Sequence, residues 1–201
     1  MREILLASSS PYRRALLSRL GVDFQWTAPN LDETPLPAEA PKDRALRLAE
    51  AKAAALAAAH PDHLIIGSDQ VASLNGVMLD KPGSHERARA QLKACSGQSL
   101  DVYTGLCVYD SATGRRWSAV ESYAARFRRL NDTQIEYYLQ RDKPYDCAGS
   151  FKCESLGIAL FEQLAGDDPN TLIGLPLIAL TRLLYDAGID LLAPPNTRNN
   201  T

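Results

Sequence analysis

The sequence predicts an α/β protein built on one mixed sheet covered by helices, forming a single domain over residues 1–192 with a disordered tail at 193–201. Three observations carry this. Short apolar runs such as "EILLAS" and "HLIIGS" alternate with stretches of helical periodicity. The stretch "VASLNGVML" sets Asn75-Gly76 between two strand-like runs, a strong hairpin signal. No internal repeat or low-complexity linker divides the 201 residues, and 45% hydrophobic content is enough to bury one sizeable core.

Along the chain, "EILLAS" reads as a short buried strand. "SSSPYRRALLSRLG" then supplies a serine cap at Ser10, proline at the first helical position, apolar Leu16, Leu17 and Leu20, and Gly21 as the stop. Residues 25–41 form a proline-punctuated loop, too long for a plain connector, so it is either mobile or engaged in function. An alanine-rich helix covers about residues 42–59, and Leu64, Ile65 and Ile66 suit a strand buried on both faces. "SHERARAQLKACSG" is a third helix ending at Gly97, followed by two long antiparallel strands joined at "SATG". Asn131 or Asp132 caps a short helix, a glycine-bearing loop precedes a strand at about 158–163, and Pro176 opens a final leucine-rich helix that stops near Gly188.

The totals exclude several classes. A formal charge of -2 argues against a nucleic-acid-coating protein, which needs a basic excess on one face. No stretch reaches the roughly 20 apolar residues of a membrane span, and the N-terminus lacks the layout of a secretion signal, so no membrane and a cytoplasmic location are the expectations. Cys95, Cys107, Cys147 and Cys153 show no zinc-ligand spacing and read as reduced, partly buried thiols. His60 and His63 read as surface or capping residues where a helix ends, and Tyr137, Tyr138, Trp117, Tyr123 and Phe127 as core or interface rather than stacking platforms. No Gly-x-Ser-x-Gly elbow, Gly-x-x-x-x-Gly-Lys loop or Gly-x-Gly-x-x-Gly turn occurs.

Four segments carry candidate chemistry. A serine-rich loop opening a helix offers backbone N-H groups and a positive dipole end to an anion such as phosphate. Arg13 and Arg14 stand there, although an ordinary capped helix has the same signature. Lys52 falls on the apolar stripe Ala45, Leu48, Lys52, Leu56 and Ala59, so its ammonium needs a partner or must snorkel. Asp69 lies where a buried parallel strand would deliver its last residue into a ligand crevice, or else it is a turn acid. Counting back from the hairpin sets Gln70 opposite Lys81, and a bulge is then needed for Asp69 and Gln70 to meet one ligand. Glu33 in the long loop, with Asp69, offers oxygen ligands for Mg²⁺ or Mn²⁺ beside phosphate oxygens.

Together "LASSSPYRRALL", "DET", "LAEAKA", "IIGSDQV", "DKP", "YTGL", "CAGSFKCE" and "DPNTLIGLPL" make the chain, over almost its whole length, resemble the Maf family of nucleoside triphosphate pyrophosphatases. The resemblance implies a fold like that of inosine triphosphate pyrophosphatase, with a strongly twisted sheet and helices in two lobes around a cleft. It also implies a homodimer, a divalent metal (Mg²⁺, Mn²⁺ or Co²⁺) and hydrolysis of a nucleotide to its monophosphate and pyrophosphate. By position, Asp69 matches the family's proton acceptor, and Ser8, Arg13, Glu33, Lys52 and Lys81 match its polar cleft residues. "SDQ" and "GSFKCE" resemble the branch acting on 7-methyl-GTP rather than that acting on dTTP and UTP. Tyr12, Gln70 and Glu154 fall at its selectivity positions. Tyrosine at 12 replaces a more usual tryptophan, and Cys153 stands where serine is common. An alternative from another class is a nucleotide-binding regulator of septum formation.

Overall fold

The computed structural model describes residues 2–193, so the tail expected to be disordered lies, apart from Ala193, outside the described residues. The chain runs β1 (Glu3–Ala7), α1 (Pro11–Ser18), β2 (Phe24–Thr27), α2 (Pro41–Ala54), β3 (His63–Leu74), β4 (Val77–Leu79), α3 (His85–Cys95), β5 (Ser99–Asp110), β6 (Arg116–Phe127), α4 (Asp132–Asp142), β7 (Phe161–Ala165) and α5 (Leu177–Asp186). One seven-stranded sheet has the order β2-β1-β3-β5-β6-β7, with β4 attached to β3. It is mixed: β1 pairs parallel to both β2 and β3, and the remaining pairs are antiparallel.

Local chemistry sets most boundaries. Ser10 caps α1 with Pro11 in its first turn, and Asn131 with Gln134 forms a capping box that satisfies two orphan donors of α4. Asn75 and Gly76 both take positive φ, 52° and 84°, the two-residue turn that suits the twist of a hairpin. Its ladder is Leu74↔Val77, Ser73↔Met78 and Ala72↔Leu79.

The position of β1 and β4 on β3 makes the cleft. One edge of β3 is paired with β5 without a break from Leu64 to Leu74. On the other edge β1 is in register only as far as Leu6↔Ile66, and β4 takes over only at Ala72. Residues 67–71 thus border a gap between two strands on the same edge. Separate cores pack on either side of it. One gathers Leu6, Leu17, Ile66, Val108 and Leu180, and the other gathers Leu92, Leu100, Phe127, Ile135 and Leu139.

Five expectations are corrected. Residues 24–27 are an edge strand rather than the start of a loop; with two of four positions exposed, β2 leaves no alternating apolar signature. Helix α2 ends at Ala54, not near residue 59, because the amides of Leu56 and Ala57 fall back to carbonyls three residues earlier. Alanine favours helix at every position, so an alanine run carries no stop signal. Residues 156–160 form a 3₁₀ turn and β7 starts only at Phe161. Gln70 has no partner in β4, since the hairpin ladder ends at Leu79 and Gly83 N-H bonds the Tyr145 carbonyl, drawing the chain away. Finally, Asp69 is not the last residue of its strand: β1 stops, but β3 continues on β5.

Candidate active site

A cleft of about 550 Å³ opens at the gap, and Ser8, Tyr12, Arg13, Glu33, Lys52 and Asp69 line it together with Gln70, Lys81 and Glu154. All nine residues that the family resemblance names are therefore brought to one place. Pleating divides the floor. Gly67 and Asp69 face α2, while Ser68 and Gln70 face the 3₁₀ turn at Pro169–Leu172 and Gly174 after it. No bulge interrupts β3 here; both faces reach the ligand space because the strand's free edge lies between them.

Helix α2 reaches Asp69 because two glycines let it settle on the sheet. A Cβ on Gly105 would stand 2.0 Å from the Ala45 carbonyl oxygen, and one on Gly67 would stand 2.1 Å from that of Ala49. Gly105 is the direct cross-strand partner of Asp69. With the helix seated, Lys52, itself buried, places Nζ 2.6 Å from Asp69 Oδ1 and 2.9 Å from Glu33 Oε1. A buried ion pair contributes little to stability against its desolvation cost, so its position in a cleft points to chemistry.

Across the cleft, the N-H of Ser10 bonds Ser8 Oγ at 3.1 Å, and Ser10 Oγ accepts from the Arg13 N-H. Arg13 Nε donates to the Gly174 carbonyl at 2.8 Å. Burial draws the guanidinium pKa down, and the carboxylates of Asp69 and Glu33 draw it back up. A cation in the first turn of a helix is at odds with the dipole until an anion joins it. Arg14, by contrast, stacks on Trp26 at 3.9 Å and does not line the cleft. Lys81 is exposed at the rim and makes no hydrogen bond or ion pair among the described residues.

At the other end, the Tyr12 ring lies 5.9 Å from Lys152 Nζ, and burial raises its hydroxyl pKa against the pull of that ammonium. Gln70 Nε2 donates to the Thr171 carbonyl at 2.6 Å and to Thr104 Oγ1 at 3.3 Å, which leaves Oε1 as its spare acceptor. Glu154 is exposed on the wall. Cys147 also lines the cleft, but burial pushes its thiol up to about 12, so it is no nucleophile at neutral pH. All four cysteines are free.

The sequence reading did not single out Arg44, Asp80, Asp146 or Lys152 near the cleft. Arg44 sits at i and i+8 with Lys52 on the stripe through Leu48, a spacing that could have flagged it; Lys152 lies inside "GSFKCE". Among the described residues no three His, Cys, Asp or Glu converge as a ready metal cage. The donor set nevertheless fits a hard divalent ion that completes its shell with phosphate and water, since Glu33 and Asp69 oxygens both lie within reach of the one Lys52 ammonium.

Fold and site together define a mixed α/β protein with a polar cleft in which Arg13, Lys52 and Lys81 stand near Asp69 and Glu33. The family model described as Maf-like protein matches residues 3–187, and the chain belongs to the Maf-like family. It is 54% identical over 189 residues to the 7-methyl-GTP pyrophosphatase of Nitrosococcus oceani, covering 94% of this chain and 95% of the relative. It is also 52% identical over 190 residues to the 7-methyl-GTP pyrophosphatase of Chromohalobacter salexigens, covering 94% and 98%. No helix among the described residues is long and apolar enough to cross a membrane.

Proposed function

We propose that this chain hydrolyses 7-methyl-GTP to 7-methyl-GMP and pyrophosphate, removing a modified nucleotide from the pool. The observation that carries the reading is the Asp69 carboxylate, held ion-paired by Lys52 in the cleft floor and facing the serine-capped start of α1 with Arg13. Full-length likeness to two proteins of that name supports the substrate.

In this reading the N-terminus of α1, Ser8 and Arg13 hold the phosphates, with Lys81 closing on them from the rim. Asp69 takes a proton from the attacking water; the water oxygen bonds the α-phosphorus as the α–β bridging oxygen leaves with pyrophosphate. Lys52, 2.6 Å from Asp69, orients its carboxylate before the attack. Glu33 and Asp69 would hold a divalent cation, Mg²⁺, Mn²⁺ or Co²⁺, which when bound neutralises phosphate charge. Tyr12 offers a face to the cationic methylated purine, and Gln70 Oε1 and Glu154 offer acceptors to a guanine edge.

The test is pyrophosphate release by the purified protein with Mn²⁺ and a panel of 7-methyl-GTP, GTP, dTTP and UTP. The expected result is catalytic release with 7-methyl-GTP ranked first. A ranking led by dTTP or UTP overturns the substrate, and binding without turnover overturns the enzyme in favour of a nucleotide-binding regulator.

A further inference from the structure

Residues 28–40 contain no helix or strand, yet they carry Glu33 to Lys52. Among the described residues, every hydrogen bond or ion pair that ties residues 28–39 to another element comes from α2. Arg47 is the main tie. Its Nη2 donates to Glu39 Oε2 at 2.8 Å and to the Thr34 carbonyl at 3.4 Å, and its Nε pairs with Glu39 Oε1. The two-pronged geometry fixes orientation as well as distance. On the loop side Glu39 is the hub. Its side chain is 6% exposed, Oε2 also accepts the Leu36 N-H at 3.1 Å, and its own N-H donates to the Leu36 carbonyl at 3.2 Å. The bonds between Thr34 and Asp32 are internal to the loop and cannot locate it on the body. Arg44 adds a weaker tie, 3.4 Å from the Glu33 carbonyl, while its buried Nε has no partner.

We infer that Arg47 and Glu39 are positioning residues for the site: their pair pins the loop to α2 so that the Glu33 carboxylate arrives beside Lys52 and Asp69. Glu33 itself is half exposed and has Lys52 as its one ion-pair partner among the described residues, and the only other tie at this residue is the long Arg44 contact to its carbonyl, so its placement depends on how the loop is pinned. The hydrogen bond from Arg47 holds the Glu39 carboxyl down to about 2. Because that value lies below the ordinary glutamate range, the stabilisation is present above that range and is lost only as pH falls toward 2.

The inference rests on the assignment of Glu33 to the active site, and its test separates the two. Arg47→Ala and Arg47→Lys are each measured alone and combined with Glu33→Gln, by steady-state pyrophosphate release and by hydrogen exchange of the amides of Leu36 and Glu39. Arg47→Ala should lower kcat at least about tenfold, since a misplacement of about 1 Å in a reacting group can cost on the order of 100-fold. Arg47→Lys, which keeps charge but not the fork, should fall between it and the wild type. Both loop amides should exchange faster, and Arg47→Ala should cost nothing further in the Glu33→Gln background. An equal loss in both backgrounds, an unchanged kcat, or amides that stay protected while kcat falls overturns the inference. If Arg47→Ala does not fold, Glu39→Gln takes its place, keeping the shape and removing the charge. If the wild type releases no pyrophosphate the functional reading fails, and the exchange measurement decides the anchor alone: protected amides in Arg47→Ala then overturn it.

Discussion

Between Gly67 and Gln70, β3 presents two faces that meet the same cleft and are wired differently. Toward the 3₁₀ turn, Ser68 Oγ lies 2.9 Å from the carbonyls of both Gly105 and Gly174, and Gln70 donates to that of Thr171. Those acceptors are backbone, fixed by the fold. Toward α2, Asp69 meets Lys52, and Lys52 meets Glu33: three side chains bonded to one another. A ligand can compete for the second set without disturbing the chain path, whereas the first set holds the chain path itself. One face is tied mainly to backbone and keeps only the Oε1 of Gln70 free for the cleft, and the other carries the ion-paired side chains to which the proposed chemistry is given, though the two alternate residue by residue along four positions.

The sharpest way to break this contrast is Asp69→Asn, which keeps shape and removes the proton acceptor. Turnover should fall by on the order of 10²–10⁴-fold, with nucleotide affinity by calorimetry still measurable. Unchanged turnover would remove Asp69 from the role of base. Next comes Gly105→Ala, whose new methyl must push α2 off the sheet. Stability by chemical denaturation should drop by about 1–3 kcal/mol, and turnover should fall with it as Lys52 leaves Asp69. A stable, fully active variant would show that the close seating of the helix does not matter to the site. The smallest effect is expected on the other face: Ser68→Ala should cost about 1 kcal/mol of stability while kcat changes less than about threefold. A large kcat loss without a stability loss would reverse the roles given to the two faces.

The sequence showed one part of this arrangement well. Ser10-Pro11, Asn75-Gly76 and Asn131 with Gln134 are local devices, and each specifies its turn or cap through bonds made within a few residues. The apolar spacing around Lys52 left a paired or a snorkelling ammonium open, and the structure gives it two partners. The family resemblance then named nine residues that the fold gathers in one cleft. What stayed hidden was non-local. The strand Phe24–Thr27 exists because β1 offers it an edge, and nothing in "FQWT" announces that. The end of β1 beside a continuing β3 left Asp69 in mid-strand, a geometry fixed by a neighbour more than 50 residues away in sequence. Arg44 and Arg47 sit in a helix rich in charge, where spacing does not tell a solvated arginine from one that holds a loop.

The undivided pairing of β3 with β5 has a mechanical consequence. Leu64, Ile66, Leu106 and Val108 belong to one core and Ala72, Leu100 and Val102 to the other, so the same two strands are beams common to both halves. Neither half owns a complete sheet, and any motion of one against the other must bend the two shared strands. Severing the chain would strand each core with half its floor, and heat should melt both in one step.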